Sequence, residues 1–91
     1  MEIKYDITYL EDVVKKHIPS LSEYAKTAIK KSIETKLMID PIGFGKPLRY
    51  SLKGHRRLRV GDYRVVYRID LYKTLVTVIA IKHRKDIYQD Q

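Results

Sequence analysis

The sequence predicts an α+β fold in a single domain over residues 1–91, with the element order β-α-α-β-β-β-β. Helical spacing of apolar residues is confined to the first half of the chain, and most of the strand-like segments follow one another in the second half. Turn residues such as Lys53-Gly54 and Gly61-Asp62 separate those segments. We therefore expect two helices on one face of a small, mostly antiparallel sheet, followed by a short C-terminal tail or turn of helix.

The first half begins with a predicted strand over residues 1–8, in which Ile3, Tyr5 and Ile7 alternate with polar residues. A short helix is predicted over residues 9–17, where apolar residues recur along one stripe.

A second helix is predicted from Ser20 to about Met38. Ser20 and Glu23 match a capping box, and Asp40-Pro41 ends the helix because proline cannot continue it. The predicted buried stripe contains Leu21, Ala25, Ala28, Ile29, Ile33 and Leu37.

The second half is predicted to contain strands over residues 47–52, 55–60, 63–70 and 74–82. Loops are predicted at residues 42–46 and 71–73, and a polar tail over 83–91. The last strand is almost continuously apolar, which is typical of a strand buried on both faces.

The hairpin over residues 55–67 is apolar on one face and rich in arginine on the other, because side chains alternate along a strand. The arginine face suits an anionic partner. A solvated sheet face is the alternative interpretation, and Tyr63 and Tyr67 fit core or cross-strand packing better than contacts to a ligand. The apolar face holds Leu58, Val60, Val65 and Tyr67, and the other face holds Arg57, Arg59, Arg64, Val66 and Arg68.

The formal net charge of +8 comes entirely from the second half. Residues 1–45 contain seven Lys/Arg and seven Asp/Glu, whereas residues 46–91 contain twelve and four. This asymmetry indicates a basic face and an acidic partner such as nucleic acid. The lack of cysteine excludes disulfides and cysteine-based zinc sites. With no signal peptide and no membrane-spanning run, a cytoplasmic location is expected.

The residues that remain suit RNA cleavage without a metal. G-x-S-x-G and P-loop motifs are absent, and His17, His55 and His83 lack the paired spacing of zinc ligands, so no metal or cofactor is predicted. RNA supplies its own nucleophile, the 2′-hydroxyl. Arginine stabilises charge on phosphorus, histidine transfers protons and tyrosine stacks on a base.

Two stretches of the second half resemble the RelE/ParE toxin superfamily of type II toxin–antitoxin modules. They read P-L-R-Y-S-L-K-G-H-R-R-L-R-V-G-D-Y-R-V-V-Y-R-I and V-T-V-I-A-I-K-H-R-K-D-I-Y. The resemblance extends over the whole chain and is most specific over residues 47–88. It implies a toxin that cleaves messenger RNA in the ribosomal A site, as RelE-like members do. A ParE-like gyrase inhibitor and a catalytically inactive homologue are the alternatives.

The resemblance also implies site residues. His55 and Arg57 occupy positions before the hairpin turn where RelE has lysines, and the general base is either His55 or His83. Arg57 and Arg64 are expected to hold the phosphate, and Tyr88 to orient the nucleotide. The full implied catalytic set is His55, Arg57, Arg64, His83, Arg84 and Tyr88, with Arg84 or a protonated histidine assisting the leaving oxygen. General RNA contacts are expected from Lys53, Arg56, Arg59, Arg68, Lys82 and Lys85.

The implied partners are the ribosome, its mRNA and an acidic or amphipathic antitoxin, with no membrane partner. The antitoxin is expected to cover the C-terminal end or to pack against the helices and sheet, where Leu10, Val14 and Leu37 are candidate contacts or simply core. Free toxin is expected to be a monomer that forms an oligomer with the antitoxin.

Overall fold

The computed structural model describes residues 4–51 and 53–85. Within these ranges the strands form one sheet in which the N-terminal strand is parallel to the last strand and all other neighbours are antiparallel. The α+β class and the mostly antiparallel sheet are therefore confirmed. The strands are β1 (Asp6–Tyr9), β2 (Lys46–Pro47), β3 (Arg56–Val60), β4 (Tyr63–Asp70) and β5 (Leu75–His83), in the spatial order β1-β5-β4-β3-β2.

Three helical segments pack against the sheet: α1 (Val13–His17), α2 (Glu23–Ser32) and α3 (Pro41–Phe44). α1 is a π-helical turn, and α2 continues as another over Ile33–Leu37, which ends close to the predicted Met38. The described residues therefore contain one helical segment more than the sequence predicts.

The start of α2 differs from the predicted capping box. Ser22 is the N-cap, and its side chain accepts a hydrogen bond from the Ala25 N–H at 3.1 Å. Ser20 instead donates its hydroxyl to the His17 carbonyl at 2.8 Å. Both serines satisfy backbone groups at helix ends, but they serve different helices.

α3 lies largely within the stretch predicted as a loop, residues 42–46, and that prediction was wrong. Asp40 ends the preceding helix but also begins α3, because its carboxylate accepts a hydrogen bond from the Gly43 N–H at 2.9 Å. Pro41 takes the first position of α3, where its missing N–H costs nothing.

The strand predicted over residues 47–52 was wrong beyond Pro47. Only Lys46 and Pro47 pair with β3. The chain then turns, and Tyr50 has a φ of 60°, a left-handed conformation that a strand does not contain. Leu52 lies outside the described residues, as do residues 1–3 of the first predicted strand and residues 86–91 of the predicted tail.

The core lies between the helices and one face of the sheet, and the hairpin contributes Leu58, Val65 and Tyr67 to it. The predicted stripe of the second helix is confirmed for Leu21, Ala25, Ile29, Ile33 and Leu37, which are buried, whereas Ala28 is only half-buried. His17 has a structural role at the end of α1, because its Nδ1 accepts a hydrogen bond from the Ile81 N–H at 3.1 Å. The bond therefore satisfies a backbone N–H of β5 that lies beyond the end of the neighbouring strand β1.

Tyr67 fixes α3 to the sheet. Its side chain is 0% exposed, and its hydroxyl donates to the Pro41 carbonyl at 2.6 Å. Burial raises the pKa of Tyr67 above its ordinary value of 10.0, and the neighbouring Arg56 guanidinium opposes that rise. The neutral hydroxyl is therefore the form that the fold requires.

Replacing Tyr67 with phenylalanine is expected to lower the free energy of unfolding by about 1–2 kcal/mol, because the buried Pro41 carbonyl loses its partner. Since the folded-state pKa is raised, the contribution of the hydroxyl is fully present below about pH 10 and is lost as pH rises through the folded pKa. Tyr67→Phe should therefore show a shallower alkaline loss of stability. Urea unfolding at neutral and alkaline pH measures both effects, with the fully exposed Tyr72→Phe as the control. Identical alkaline profiles for wild type and Tyr67→Phe would contradict this assignment.

Candidate nucleic-acid interface

A groove of about 260 Å³ lies at the arginine face of the sheet, between that face and the end of α3. We call it the cationic groove, and it is lined by Phe44, Lys46, Arg57, Arg59 and Arg64. Four of these five side chains carry a positive charge, and none of the lining residues in the described ranges is acidic. The positive potential of a groove with this composition favours an anionic ligand.

The cations face one another across neighbouring strands. Lys46 stands opposite Arg57, and Arg59 stands opposite Arg64, which in turn stands opposite Lys82. We call Arg59, Arg64 and Lys82 the cationic row. Like charges directly opposite on a sheet destabilise it. A bound phosphate would remove this repulsion, so the register itself favours an anionic ligand.

A β-bulge brings Lys82 into the row. Val66 pairs with Ala80 and Tyr67 pairs with Val78, which leaves Ile79 as an extra residue in β5. Before the bulge Val78 points into the core, and after it Ile81 does. Lys82, the next residue, therefore emerges on the arginine face opposite Arg64.

Arg64 is the most constrained member of the row. It is only 6% exposed, and its Nη1 donates to the carbonyls of Tyr63 at 3.0 Å and Gly61 at 3.3 Å. These acceptors orient the guanidinium, but both are neutral, so they do not compensate its charge. A buried, oriented guanidinium with no acidic partner among the residues that the structure describes is well suited to hold a phosphate.

The structure brings together four of the predicted residues: Arg57, Arg59, Arg64 and Lys82. His55 directly precedes β3, where its N–H donates to Ser51 Oγ at 3.0 Å and its carbonyl accepts from the Leu48 N–H at 2.9 Å. It is thus held two residues from Arg57 along the chain.

His83 is not brought to the cationic groove. It pairs with Tyr63, which packs against the core, and the two rings meet edge to face with their centroids 5.5 Å apart. The sheet therefore separates His83 from Arg64. Arg84 lies beside the hairpin turn, where its N–H donates to the Asp62 carbonyl at 2.8 Å and its Nε is 4.0 Å from the Asp62 carboxylate.

Arg56 also turns away from the groove. Its Nη2 donates to the carbonyls of Ile42 at 2.7 Å and Gly45 at 2.9 Å, so the guanidinium holds α3 in place. This placement gives Arg56 a structural role, and we omit it from the proposed RNA contacts. The other predicted contacts Lys53, Arg68 and Lys85 are exposed outside the cationic groove, and Tyr88 lies outside the described residues.

Sequence reasoning missed Phe44 and Lys46. A signal was present for α3, since Asp followed by Pro is a common helix start, and a helix there carries Phe44 towards β3. The position of Lys46 opposite Arg57 depends on the pairing of β2, which is only two residues long. A strand this short leaves no periodic signal.

A second, larger groove of about 660 Å³ lies between α2 and the edge of the sheet formed by β1. We call it the apolar groove. Its lining is mainly apolar, with Lys26, Lys30 and Glu34 among its polar members. The apolar lining includes Ile7, Tyr9, Ile18, Leu21, Ile29, Ile33, Met38 and Ile81.

Residues 4–51 and 53–85 contain no group of three or more His, Cys, Asp or Glu side chains arranged to hold a metal ion. Among the helices described, none has the length and apolar character required to cross a membrane.

Comparison with known sequences places these features in a family. Residues 9–88 match the family model described as the ParE toxin of type II toxin–antitoxin systems. The chain is 46% identical over 50 residues to Toxin RelG of Mycobacterium tuberculosis, a match that covers 55% of this chain and 58% of RelG. It is 45% identical over 53 residues to Toxin RelE of the same organism, a match that covers 58% of this chain and 55% of that toxin. Each match thus spans little more than half the length of the relative.

Solved structures share the fold over nearly the whole chain. The RelBE2 toxin–antitoxin complex of M. tuberculosis gives a TM-score of 0.81 at 29% identity, covering 90% of this chain and 93% of that one. The intact E. coli RelBE complex gives a TM-score of 0.68 at 27% identity, covering 87% of this chain and 95% of that one. Because the family model spans most of the sequence, the chain belongs to the ParE toxin family of type II toxin–antitoxin systems, within the RelE/ParE superfamily.

Proposed function

We propose that the protein is the toxin of a type II toxin–antitoxin module and an endoribonuclease that cleaves mRNA in the ribosomal A site. The observation that carries this proposal is the cationic groove, in which the buried Arg64 faces Arg59 and Lys82 across the sheet. Family membership supports the toxin class. The similarity to Toxin RelG and Toxin RelE supports a RelE-like toxin, and the ribonuclease activity is the part that the resemblance of residues 47–88 to RelE-like members implies.

The proposed reaction needs no metal. The 2′-oxygen attacks the adjacent phosphorus, the bond to the 5′-oxygen breaks, and the product carries a 2′,3′-cyclic phosphate. Arg57 and Arg64 hold the non-bridging oxygens and stabilise the charge that develops on them. The proton lost by the 2′-hydroxyl goes to a base, and the departing 5′-oxygen gains a proton.

Of the two candidate bases, we favour His55. It lies two residues before Arg57, directly ahead of the strand that lines the groove, whereas His83 lies on the other face of the sheet beside Tyr63. Arg84, at the hairpin turn, is proposed to assist the leaving oxygen. Tyr88 is proposed to orient the nucleotide.

The test is inducible expression followed by primer extension on a translated message and on a copy without its start codon. We expect new 5′ ends within codons of the translated copy alone. The family model is described as ParE, so gyrase inhibition is the second candidate function. A supercoiling assay on purified gyrase separates the two: inhibited supercoiling together with intact messages would overturn the ribonuclease proposal.

We further propose that an antitoxin docks in the apolar groove. The groove offers a mainly apolar surface of the size that an amphipathic segment fills, and the similar solved structures include toxin–antitoxin complexes. Lys26 and Lys30 line the groove and can pair with acidic side chains of the partner, while Asp6 and Glu34 in the same lining can pair with basic ones.

Reversing the charge of Lys30 to glutamate is expected to weaken antitoxin binding, because a rim cation that attracts an acidic segment becomes repulsive. Lys31→Glu is the matched control, since this exposed neighbour on α2 does not line the groove. Affinities measured by titration calorimetry with the co-encoded antitoxin compare the two variants. Equal affinities for both would place the antitoxin elsewhere.

A further inference from the structure

We infer that Phe44 is a nucleobase-stacking residue at the rim of the cationic groove. The inference rests on the proposed RNA-binding function and adds to it a site for the base. The arginines of the groove are charged ligands for phosphate, whereas an aromatic ring is a neutral apolar surface for the planar part of a nucleotide. Phe44 is the aromatic residue among those lining the groove.

The ring of Phe44 is half exposed, at 50% of its surface, and it shares the groove with Arg57, Arg59 and Arg64. Leaving this much aromatic surface in water costs free energy that stacking on a base recovers. Aromatic side chains beside a basic groove form the platforms on which single-stranded RNA binds. A nucleotide whose phosphate lies against the arginines therefore has an aromatic surface available at the same groove.

Phe44 is held at a fixed position by the sheet. The Pro41 carbonyl accepts from the Tyr67 hydroxyl, and Arg56 donates to the carbonyls of Ile42 and Gly45. The chain is thus tied down on both sides of Phe44, although the ring itself is exposed. Because the backbone around Phe44 is already fixed, it loses little conformational entropy when a base stacks on the ring.

Lys36 places a positive charge over one face of the Phe44 ring, so a base would stack on the other face. Its Nζ lies 5.9 Å from the centroid of Phe44, within range of a cation–π interaction. Every base presents a π face, so stacking on Phe44 adds affinity and orientation without selecting a codon.

The experiment uses purified toxin and a short 2′-O-methyl RNA, which lacks the nucleophilic hydroxyl, together with an abasic oligonucleotide of the same length and phosphate number. Phe44→Leu is expected to bind the base-containing probe about tenfold more weakly and the abasic probe as wild type does. Tyr24→Leu is the matched control, because Tyr24 is 85% exposed on α2, away from the cationic groove. It should bind both probes as wild type does.

A spectroscopic readout uses Phe44→Trp. The chain contains no tryptophan, so this variant carries a single fluorophore at the proposed site. We expect retained affinity and quenching by the base-containing probe, with no quenching by the abasic one.

Arg59→Gln separates failure of this inference from failure of the proposed function. It should weaken binding of both probes, since both carry phosphates. Suppose that Arg59→Gln weakens binding. The stacking role is then overturned if Phe44→Leu binds both probes as wild type does, or if Phe44→Leu loses the same affinity for both probes. If Arg59→Gln and a variant that also carries Arg57→Gln and Arg64→Gln leave both affinities unchanged, the cationic groove does not bind RNA, and the stacking role fails together with the proposed function.

Discussion

Replacing Arg64 with glutamine is expected to lower the rate of mRNA cleavage by a factor of about 10²–10³. Arg64 is buried, its orientation is set by the Tyr63 and Gly61 carbonyls, and it lies at the centre of the cationic row. A positive charge held in place before the reaction acts most strongly on charge that develops in the transition state. Glutamine retains a hydrogen-bond donor but not the charge.

The stability of Arg64→Gln should stay within about 1 kcal/mol of wild type. The variant weakens two hydrogen bonds to backbone carbonyls, but it also relieves the repulsion from Arg59 and Lys82. Loss of activity therefore reports on chemistry and not on unfolding.

Cleavage is measured by primer extension on programmed ribosomes, and stability by urea unfolding. Lys31→Gln is the control of equal net charge, because it removes one cation from an exposed position on α2. It should cleave as wild type does. Cleavage by Arg64→Gln at the wild-type rate would remove Arg64 from the reaction.

Replacing Gly45 with alanine is expected to lower the free energy of unfolding by about 3 kcal/mol or more. A Cβ at this position would lie 1.7 Å from Tyr67 Oη, 2.7 Å from Tyr67 Cζ and 3.0 Å from the Arg57 carbonyl oxygen. Tyr67 is fully buried and bonded to Pro41, so neither the ring nor the strand has room to move. The same variant should disturb RNA binding, because α3 carries Phe44.

A second variant identifies the cause of this loss. Combining Gly45→Ala with Tyr67→Phe removes the contact between the new Cβ and the Tyr67 hydroxyl but leaves the contact with Cζ. We therefore expect the double variant to lose less free energy of unfolding than the two single variants lose together. Gly54→Ala is the control. Gly54 has open space around it and a φ of +70°. Alanine there should lower the free energy of unfolding only by the cost of a left-handed backbone conformation, about 1–2 kcal/mol. Equal losses for Gly45→Ala and Gly54→Ala would rule out steric exclusion by Tyr67.

Much of the fold was predictable because its signals are local. The spacing of Leu21, Ala25 and Ile29 is that of a buried helical stripe, and the alternation of Leu58 with Arg57 and Arg59 assigns the hairpin faces. The residue types in the second half also indicated an anionic ligand, since they place so many cations close together in sequence. None of these inferences needs knowledge of contacts between distant elements.

The α+β class, the arginine face and the family resemblance therefore follow from patterns in the sequence. Which cations lie opposite one another depends on the three-dimensional fold. A continuous apolar run does not reveal the bulge at Ile79, yet a shift of one residue exchanges the faces of all side chains beyond it. That shift sets Lys82 opposite Arg64 and places His83 against Tyr63, and long-range hydrogen bonds from Arg56 and Tyr67 bring Phe44 to the groove. Register and tertiary contacts join residues far apart in the chain, so no local pattern contains them.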